Sequence, residues 1–341
     1  MKEIAEAVGV SQSTVSRVLN GSPGNVPIAQ DTRERIQLAV KELGYRPDPL
    51  ARGLRGVGTA LLGLIVREVA DPFFASAIEV IAGEARRHGY NLVLGHAQSS
   101  GDEALALSSI LETRHCDGII LLGDLKDTPK VWDDISDAAI PLVALCQGPR
   151  TPGLPTINTD NARGVTLSLE YLHKLGHSRI AFVDAGWLGD VGERRTAYLD
   201  WMSQHGKPMP DGYQQPGDNN PESGAEAFKR LMALPEPPSA VLCATDQVAL
   251  GVLSAAGELS VVVPTDVSVI GFDDIPLARF TVPSLTTVRQ PLQDMARLAL
   301  EQLLTLVKRE EAPPMVYRQI CQPTLVKRGS CGVPKSSKQP E

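Results

Sequence analysis

The sequence predicts an α/β core of two doubly wound lobes, preceded by a small all-α domain. The chain has 341 residues, which is enough for two or three domains, and 43% of them are hydrophobic. Two short helical patterns open the chain, and apolar β-branched runs alternate with helical stretches over the rest. The net charge of −7 is unevenly divided, because residues 1–56 carry eight Lys and Arg against six Asp and Glu, while the remainder carries 25 against 34. This asymmetry favours a polyanion-binding module joined to an acidic body.

The same composition argues against several classes of protein. No apolar run approaches the ~18 residues that a membrane-spanning helix needs. The polar start of the chain lacks the apolar core of a signal peptide. The cysteines are odd in number and widely spaced, which argues against a zinc site and a disulfide framework; they are Cys116, Cys146, Cys243, Cys321 and Cys331. We expect a cytoplasmic protein with no cofactor, no metal and no membrane partner.

Residues 2–20 have the pattern of two short helices that meet at a tight turn. Small Ala5 lets the helices approach, and Gly9 at the junction can adopt a positive φ. Ser11 is placed to cap the second helix. The apolar positions that form a shared small core are Ile4, Val8, Val10, Val15 and Val18.

The second of these helices is the candidate for contact with DNA. In a helix-turn-helix, the exposed N-terminal residues of the second helix reach base edges in the major groove. Gln12, Ser13 and Arg17 fall on one helical face and suit that role. Ser11, Thr14 and Ser16 are the candidates for phosphate contacts. The alternative is a helical hairpin that binds nothing, because the same spacing also arises by chance.

A third helix is predicted at Ile28–Leu43, with Gly44 as its stop, and a linker follows. Two prolines end the helical pattern, and one of them can start a short new helix within residues 47–58. Such a helix is marginal alone and suits a segment that orders on DNA. The candidate contacts are Arg52 and Arg55 with phosphates, and Leu54 as a wedge in the minor groove. A plain linker is the alternative.

The body has the alternation that parallel sheets covered by helices require. Strands are predicted at Ala60–Val69, Asn91–Gly95, Gly118–Leu122, Pro141–Leu145, Arg179–Val183, Ala240–Ala244 and Val267–Gly271. Helices include Pro72–Arg87, Asp102–Arg114, Ala162–Leu175, Glu222–Leu234 and Gln247–Gly257. Two groups of such units predict two lobes, and a ligand would bind at the carboxyl ends of their strands.

Carboxylates at strand ends raise the question of an enzyme. Asp273 and Asp274 follow one buried strand, and Asp246 follows another. No nucleophile elbow, phosphate-binding loop or zinc-protease motif accompanies them, so we do not expect an enzyme. His173 and His177 are four residues apart, but no third ligand is evident, and we expect both to lie on the surface.

Ordered motifs give the chain a family resemblance. In the N-terminal part they are AVGVSQSTVSRVLNG (7–21), DTRERI (31–36), LGYRP (43–47) and ARGLR (51–55). In the body they are DPFF (71–74), CDGIIL (116–121), TDNARG (159–164), LGHSRIAF (175–182), VIGFDDI (269–275) and PSLTTVRQP (283–291). Over about residues 2–328 the chain resembles the lactose/galactose repressor (LacI/GalR) family of bacterial transcription regulators.

The resemblance implies a helix-turn-helix DNA-binding domain at 1–46, a hinge at 47–58, and a two-lobed, periplasmic-binding-protein-like domain for effector binding and dimerisation at 59–328. By position, Arg194 matches the arginine that grips the effector, and Asp273 matches the carboxylate that accepts its hydroxyl hydrogen bonds. The other implied cleft residues are Phe73, Phe74, Asp160, Asn161, Asn219, Thr245 and Gln290. From the residues alone the alternatives are a core role for the phenylalanines, a helix cap at Asp160–Asn161, and a turn at Asp273.

The resemblance also implies a function. It is that of a homodimeric repressor that binds palindromic operator DNA and responds to a small effector, a pentose, hexose or short oligosaccharide. A nucleobase or nucleoside is the alternative effector, and a sugar-binding transport protein is an alternative of a different class. Residues 329–341 have low complexity and lack apolar heptads, so we expect a disordered tail and a dimer.

Overall fold

The computed structural model describes residues 1–20, 27–44, 58–97, 100–113, 116–124, 140–146, 154–186, 189–207, 209–308 and 317–335. Contacts divide the chain into two compact units, Met1–Ala60 and Leu61–Glu341. Within the described part of the chain, no helix is both long and apolar enough to cross a membrane.

The described residues of the smaller unit form three helices, α1 (Lys2–Val8), α2 (Gln12–Asn20) and α3 (Gln30–Glu42). Gly9 ends α1 in the left-handed conformation with a φ of 72°, as the sequence predicts. Ser11 Oγ accepts a hydrogen bond of 3.1 Å from the Thr14 N–H at the start of α2. The buried core consists of Ile4, Ala5, Val8, Val15, Ile36 and Ala39, with Val10 and Val18 packed against it. The predicted helical hairpin is therefore confirmed.

The third helix closes this small core. The Arg35 guanidinium on α3 donates a hydrogen bond of 2.7 Å to the Val8 carbonyl at the end of α1. Gly44, with a φ of 59°, follows the helix as predicted. The predicted hinge at 47–58 lies almost entirely outside the described residues, and this includes Arg52, Leu54 and Arg55.

The larger unit alternates strands and helices. Its first part contains β1 (Leu61–Val66), α4 (Pro72–Arg87), β2 (Asn91–His96), α5 (Gly101–Thr113), β3 (Gly118–Leu122), β4 (Leu142–Leu145) and β5 (Thr156–Thr159). Next come α6 (Asn161–Lys174), β6 (Ile180–Val183), α7 (Gly189–Gln204), β7 (Gln214–Gln215), α8 (Pro221–Met232), β8 (Ala240–Cys243), α9 (Asp246–Glu258), β9 (Ser268–Asp273) and β10 (Thr286–Arg289). The last elements are α10 (Leu292–Lys308), β11 (Arg318–Cys321) and β12 (Thr324–Val326).

The strands form two six-stranded sheets, one in each lobe. The first sheet has the order β11-β5-β4-β3-β1-β2 and is parallel throughout. The second has the order β12-β10-β9-β8-β6-β7, and only the β10–β12 pair is antiparallel. The predicted core of two doubly wound lobes is confirmed, and every predicted strand is present with bounds within three residues.

The chain passes between the lobes three times. It leaves the first sheet after β5, returns between β10 and β11, and leaves again between β11 and β12. The carboxyl ends of the parallel strands in each sheet carry the loops where ligands of open α/β folds bind. Polar residues at these ends are therefore the candidates for ligand contacts.

A close contact between two helices fixes part of the second lobe. A Cβ on Gly251 of α9 would collide with the Pro221 carbonyl at the start of α8, and a Cβ on Gly224 would collide with the Val248 carbonyl. Only glycine lets the two helices approach this closely. The contact holds the start of α8 near the end of β8.

The prediction that residues 329–341 form a disordered tail is wrong for residues 329–335. Ser330 is fully buried, accepts a hydrogen bond of 2.8 Å from the Thr286 N–H, and donates one of 2.6 Å to the Val269 carbonyl. Tertiary hydrogen bonds to strands β9 and β10 thus order a segment whose composition suggested disorder. Residues 336–341 lie outside the described part of the chain.

The expectation of two surface histidines is wrong for His177. Helix α6 ends before His177, and the imidazole ring is buried. Its Nδ1 lies 2.9 Å from Ser239 Oγ, and its Nε2 lies 2.9 Å from the Gly332 carbonyl oxygen. This residue secures the C-terminal segment. His173 is exposed, and its ring lies edge-on to Trp201 with the centroids 6.0 Å apart.

Candidate functional site

The first candidate site is the outer face of α2. Val15 is fully buried, so the opposite side of this helix faces outward. Gln12 and Ser13 are exposed at its N-terminus, and Arg17 is partly exposed one turn later. These three side chains share a face, because positions four and five residues apart are neighbours on a helix.

Three hydroxyl groups border this face. Ser11 is exposed, and Thr14 and Ser16 are partly exposed. Ser11 Oγ lies 2.7 Å from Ser13 Oγ and 2.9 Å from Thr14 Oγ1, so these hydroxyls form a cluster at the helix start. Hydroxyls and backbone N–H groups at a helix N-terminus are the usual partners of phosphate oxygens.

The second candidate site lies where the strand ends of the two lobes meet, and Arg194 is its centre. Arg194 projects from α7 and is only 1% exposed. Its Nε donates to Asn161 Oδ1 at 2.9 Å, its Nη1 to the Ala244 carbonyl at 2.6 Å, and its Nη2 to Asp190 Oδ2 at 3.0 Å. The guanidinium also stacks on the Phe272 ring, with Cζ 3.8 Å from the centroid.

Asp273 ends β9 beside this guanidinium. Its Oδ1 is 3.6 Å from Arg194 Nη1 and accepts a hydrogen bond of 2.7 Å from Gln290 Nε2. The side-chain Oε1 of Gln290 in turn accepts one of 2.6 Å from Thr159 Oγ1 at the end of β5. Burial raises the pKa of Asp273 well above its usual range, and the Arg194 charge opposes that rise. The sequence-predicted pair is thus brought together.

Asn219 connects the two lobes. Its Nδ2 donates to Asp71 Oδ2 in the first lobe at 2.8 Å, and its Oδ1 accepts from Thr245 Oγ1 in the second lobe at 2.8 Å. Thr245 also caps α9, and Asp71 caps α4 by accepting from the Phe73 N–H at 2.8 Å. These side chains therefore combine helix capping with contact between the lobes.

Phe73 and Phe74 are packed in the first lobe. Both rings are buried, with centroids 5.4 Å apart, and they belong to the hydrophobic core. The face of Phe74 is covered by Arg67, whose Cζ lies 4.5 Å from the ring centroid. Both rings therefore lie in the core, which is the alternative that the residues alone offered.

The two predicted residues at the start of α6 have different roles. Asp160 Oδ1 caps the helix by accepting from the Arg163 N–H at 2.9 Å, which is the cap that the sequence offered as an alternative. Asn161 instead points to the centre, where it accepts from Arg194 and donates to Glu193 Oε2 at 2.9 Å.

Sequence reasoning missed several groups at this site. Arg67 follows β1, Asp124 follows β3, and Asp190 lies one turn before Arg194 on α7. Asp124 Oδ2 accepts from the Gly189 N–H of the other lobe, and Arg318 of the first lobe pairs with Glu193 of the second at 3.0 Å. Position at a strand end, the signal that singled out Asp273, Asp274 and Asp246, could also have indicated Arg67 and Asp124.

A cavity of about 690 Å³ opens beside the polar cluster, next to the β5–β11 edge of the first sheet. Predicted residues Asp160 and Asn161 line it, whereas Arg194 and Asp273 do not. The other lining residues are Thr159, Ala162, Gly189, Gly192, Glu193, Arg195, Thr196, Ala197, Asp200, Arg318 and Ile320. Its volume lies within the roughly 300–1,000 Å³ that is common for small-molecule sites.

Asp246, which the sequence raised as a candidate catalytic carboxylate, is a buried structural group. Its oxygens accept from Thr287 Oγ1 at 2.6 Å and from the Ile275 N–H at 2.9 Å. Burial raises the pKa of Asp246 to about 7. The carboxylate therefore ties the start of α9 to β10 and to the loop that follows β9.

This raised pKa makes a testable contribution to stability. The folded protein holds a proton on Asp246 that the unfolded chain loses near pH 4, so this contribution is present below pH 4 and is lost as the pH rises through 7. We expect the free energy of unfolding of Asp246→Asn, measured by urea denaturation, not to show this decline. Between pH 4 and 7 the wild-type protein should lose on the order of 2–4 kcal/mol more of its free energy of unfolding than the variant does. Parallel curves for the two proteins would contradict the shift.

Known proteins match the chain over nearly its whole length. Residues 1–48 match the family model of bacterial regulatory proteins, lacI family, and residues 169–331 match that of a periplasmic binding protein-like domain. The HTH-type transcriptional repressor PurR of Erwinia tasmaniensis is 33% identical over 97% of this chain and 96% of that protein. The HTH-type transcriptional repressor CytR of Escherichia coli (strain K12) is 33% identical over 89% of this chain and 88% of that protein.

Solved structures share the fold. A Lac repressor dimer bound to operator and the anti-inducer ONPF superimposes with a TM-score of 0.86 at 25% identity, covering 96% of this chain and 98% of that one. The complex of the transcriptional regulator CelR with cellobiose gives a TM-score of 0.70 at 29% identity, with the same two coverages.

Proposed function

Because the chain belongs to the LacI family of bacterial regulatory proteins, we propose that it is a cytoplasmic homodimeric repressor whose affinity for palindromic operator DNA is controlled by a small effector. The family relatives are transcriptional repressors, and the chain is a DNA-binding regulator and not an enzyme. The observation that carries the proposal is the pairing, in one chain, of the exposed α2 face with the buried cluster around Arg194.

The DNA contacts are assigned to residues 1–58. Gln12, Ser13 and Arg17 reach base edges in the major groove, since their side chains occupy the outer face of α2. Ser11, Thr14 and Ser16 bind phosphates. In the hinge at 47–58, Arg52 and Arg55 bind phosphates and Leu54 enters the minor groove near the operator centre. Two heads then occupy two half-sites that are related by the symmetry of the dimer.

The effector is assigned to the region between the lobes within residues 59–328. The groups proposed to bind it are Phe73, Phe74, Asp160, Asn161, Arg194, Asn219, Thr245, Asp273 and Gln290. Their amides, carboxylates and guanidinium suit a polyhydroxylated sugar, which needs donors and acceptors in fixed positions. A sugar is favoured over a nucleobase because Phe73 and Phe74 are only 5% and 2% exposed and Arg67 covers one face of Phe74. These rings therefore offer a ligand a small apolar contact and not the open face on which a base stacks.

Contacts between the lobes supply the coupling. Asn219 bonds to Asp71, Gly189 to Asp124, and Arg318 to Glu193, and each contact joins one lobe to the other. An effector that prefers one arrangement of the lobes shifts the population toward it. A shift of about 1–3 kcal/mol is enough to alter the affinity for DNA by 5- to 150-fold.

The proposal is tested by selecting the preferred DNA from a random pool with the purified protein. We expect a palindromic consensus, with specific binding at least ~1,000-fold tighter than non-specific binding. A thermal-shift screen of sugars, sugar derivatives and nucleosides then seeks the effector, because a ligand at 100 times its dissociation constant adds about 2.7 kcal/mol of stability. Failure to enrich any sequence would contradict the proposed function.

A further inference from the structure

Arg67 is a buried cation that the predicted site leaves unused. It follows β1 directly, it is only 6% exposed, and its backbone N–H donates to the Leu122 carbonyl at 3.0 Å. The side chain stacks on Phe74. Within the described ranges its guanidinium has no ion pair and no side-chain hydrogen bond, although it carries five N–H donors. None of its nitrogens is among the buried atoms that lack a partner in the described part of the chain, so these donors face open space, and the Arg67 charge also acts on the nearby Asp71 carboxylate. A guanidinium whose donors face open space is able to bind a ligand there.

Arg194 does not share this property. Its three nitrogens donate to Asn161, Ala244 and Asp190, and Asp273 lies 3.6 Å away. Its charge is therefore opposed by two carboxyl groups, and each of its three nitrogens already donates one hydrogen bond, which leaves two of its five N–H groups. Arg67 has more donors available for a ligand.

Both arginines border the same region. Burial raises the pKa of the Cys146 thiol at the end of β4, and the charges of Asp190, Arg194, Asp273 and Arg67 all act on that pKa. Contacts between the lobes place Arg67 near Asp190 as well. A Cβ on Gly123 would lie 3.1 Å from Arg67 Cβ, and the next residue, Asp124, accepts a hydrogen bond from the Gly189 N–H beside Asp190.

The acidic groups nearby differ in what they can still accept. Both oxygens of Asp71 are engaged, one with the Phe73 N–H and the other with Asn219 Nδ2. Asp190 Oδ2 accepts from Arg194, but Asp190 Oδ1 is buried and has no hydrogen-bond partner within the described part of the chain. A buried carboxylate oxygen without a hydrogen-bond partner is unfavourable, and a ligand hydroxyl can donate the missing hydrogen bond.

Building on the proposed function, we propose that the effector is a polyhydroxylated organic anion, a sugar phosphate or a sugar acid. Its anionic group binds the Arg67 guanidinium, and one of its hydroxyls donates to Asp190 Oδ1. Guanidinium groups bind phosphates and carboxylates through two parallel hydrogen bonds, which fits the free donors of Arg67. A neutral sugar would donate a hydrogen bond to Asp190 Oδ1 but would form no ion pair with Arg67.

The test is calorimetric titration of the full-length wild-type protein, Arg67→Gln and Arg86→Gln at constant ionic strength. Arg86 is a matched control, because it is an exposed arginine in the last turn of α4, roughly 20 Å along the helix from Phe74. The probes are inorganic phosphate, pentose and hexose phosphates, aldonates, uronates, the neutral parent sugars and nucleosides. Comparing the affinities for the sugar phosphates with those for the aldonates and uronates distinguishes a sugar phosphate from a sugar acid.

We expect at least one anion to bind wild type ten times or more tightly than its neutral parent. Arg67→Gln should lose at least tenfold in affinity for that anion and keep its affinity for the parent, and Arg86→Gln should bind both as wild type does. If Arg67→Gln does not fold, as judged by its melting curve, Arg67→Lys takes its place and should retain part of the anion preference because it keeps the charge.

Three results would overturn the inference: a neutral sugar or nucleoside as the tightest ligand, anion affinity unchanged in the Arg67 variant, or no anion bound. Binding to the selected DNA is measured on the same samples. If wild type binds that DNA specifically and a neutral ligand alters the binding, the inference has failed and the proposed function stands. If no DNA is bound specifically, the proposed function has failed.

Discussion

Replacing Arg17 by alanine should abolish specific operator binding and leave effector binding intact. Arg17 lies on the exposed face of α2 with Gln12 and Ser13, opposite the buried Val15. A good contact to a base edge is worth about 1–3 kcal/mol, and a symmetric dimer makes it twice, so we expect a loss of about 2–6 kcal/mol. Fluorescence anisotropy with the selected operator and with scrambled DNA measures this loss.

The matched control for this prediction is Lys41→Ala. Lys41 is an exposed cation in the last turn of α3, so its removal changes the charge of the same small unit and not the α2 face. We expect that variant to keep the preference for operator over scrambled DNA. Loss of both DNA and ligand binding in Arg17→Ala would indicate misfolding, and unchanged specificity would show that α2 is not the recognition helix.

Replacing Asp273 by alanine should preserve operator binding and remove the response to the effector. Asp273 is buried beside Arg194 and accepts from Gln290, in the cluster proposed to hold the ligand hydroxyls. A hydrogen bond from a neutral hydroxyl to a charged side chain contributes about 1.5–3 kcal/mol. We therefore expect a drop in effector affinity of at least 30-fold, roughly 2 kcal/mol, by calorimetric titration.

Asp211→Ala serves as the control, because Asp211 is exposed in the second lobe, in the segment that precedes β7. That variant should bind effector and operator as wild type does. Asp273→Asn provides a second test that keeps the shape of the side chain and its contact with Gln290, should the alanine variant fail to fold. A normal effector response in Asp273→Ala would remove this residue from the proposed site.

Local sequence signals predicted the elements whose boundaries are determined locally. Helix α4 has the predicted bounds, Pro72–Arg87, because a capping aspartate precedes it and proline occupies its first position. Strand β3 matches Gly118–Leu122 because an apolar run with polar ends marks it. Such features are fixed by the chain within a few residues.

Other features depend on tertiary contacts that the sequence does not display. Strand β5 has the mixed sequence TINT, and its polar residues are buried because side chains such as Gln290 meet them from another part of the chain. The order at Ser330 and the burial of His177 have the same origin, since each bonds to strands that are distant in sequence.

The candidate site shows the same division. Arg194 and Asp273 were predicted as a pair by resemblance, and the structure places them 3.6 Å apart. Arg67 was missed because an arginine beside Glu68 has the appearance of a solvated charge in sequence. Its burial follows from packing on Phe74 and could not be inferred from neighbouring residues. Asp190 was missed although its spacing of four residues from Arg194 on one helix favours an ion pair.

The central claim is that one ligand bound between the lobes controls the affinity for DNA. Operator affinity of the wild-type protein, measured by anisotropy with and without a saturating concentration of the effector, tests it most directly. The account predicts a change of at least fivefold, and effector affinity should change by the same factor when operator is bound. An operator dissociation constant that is unchanged at effector saturation would contradict it.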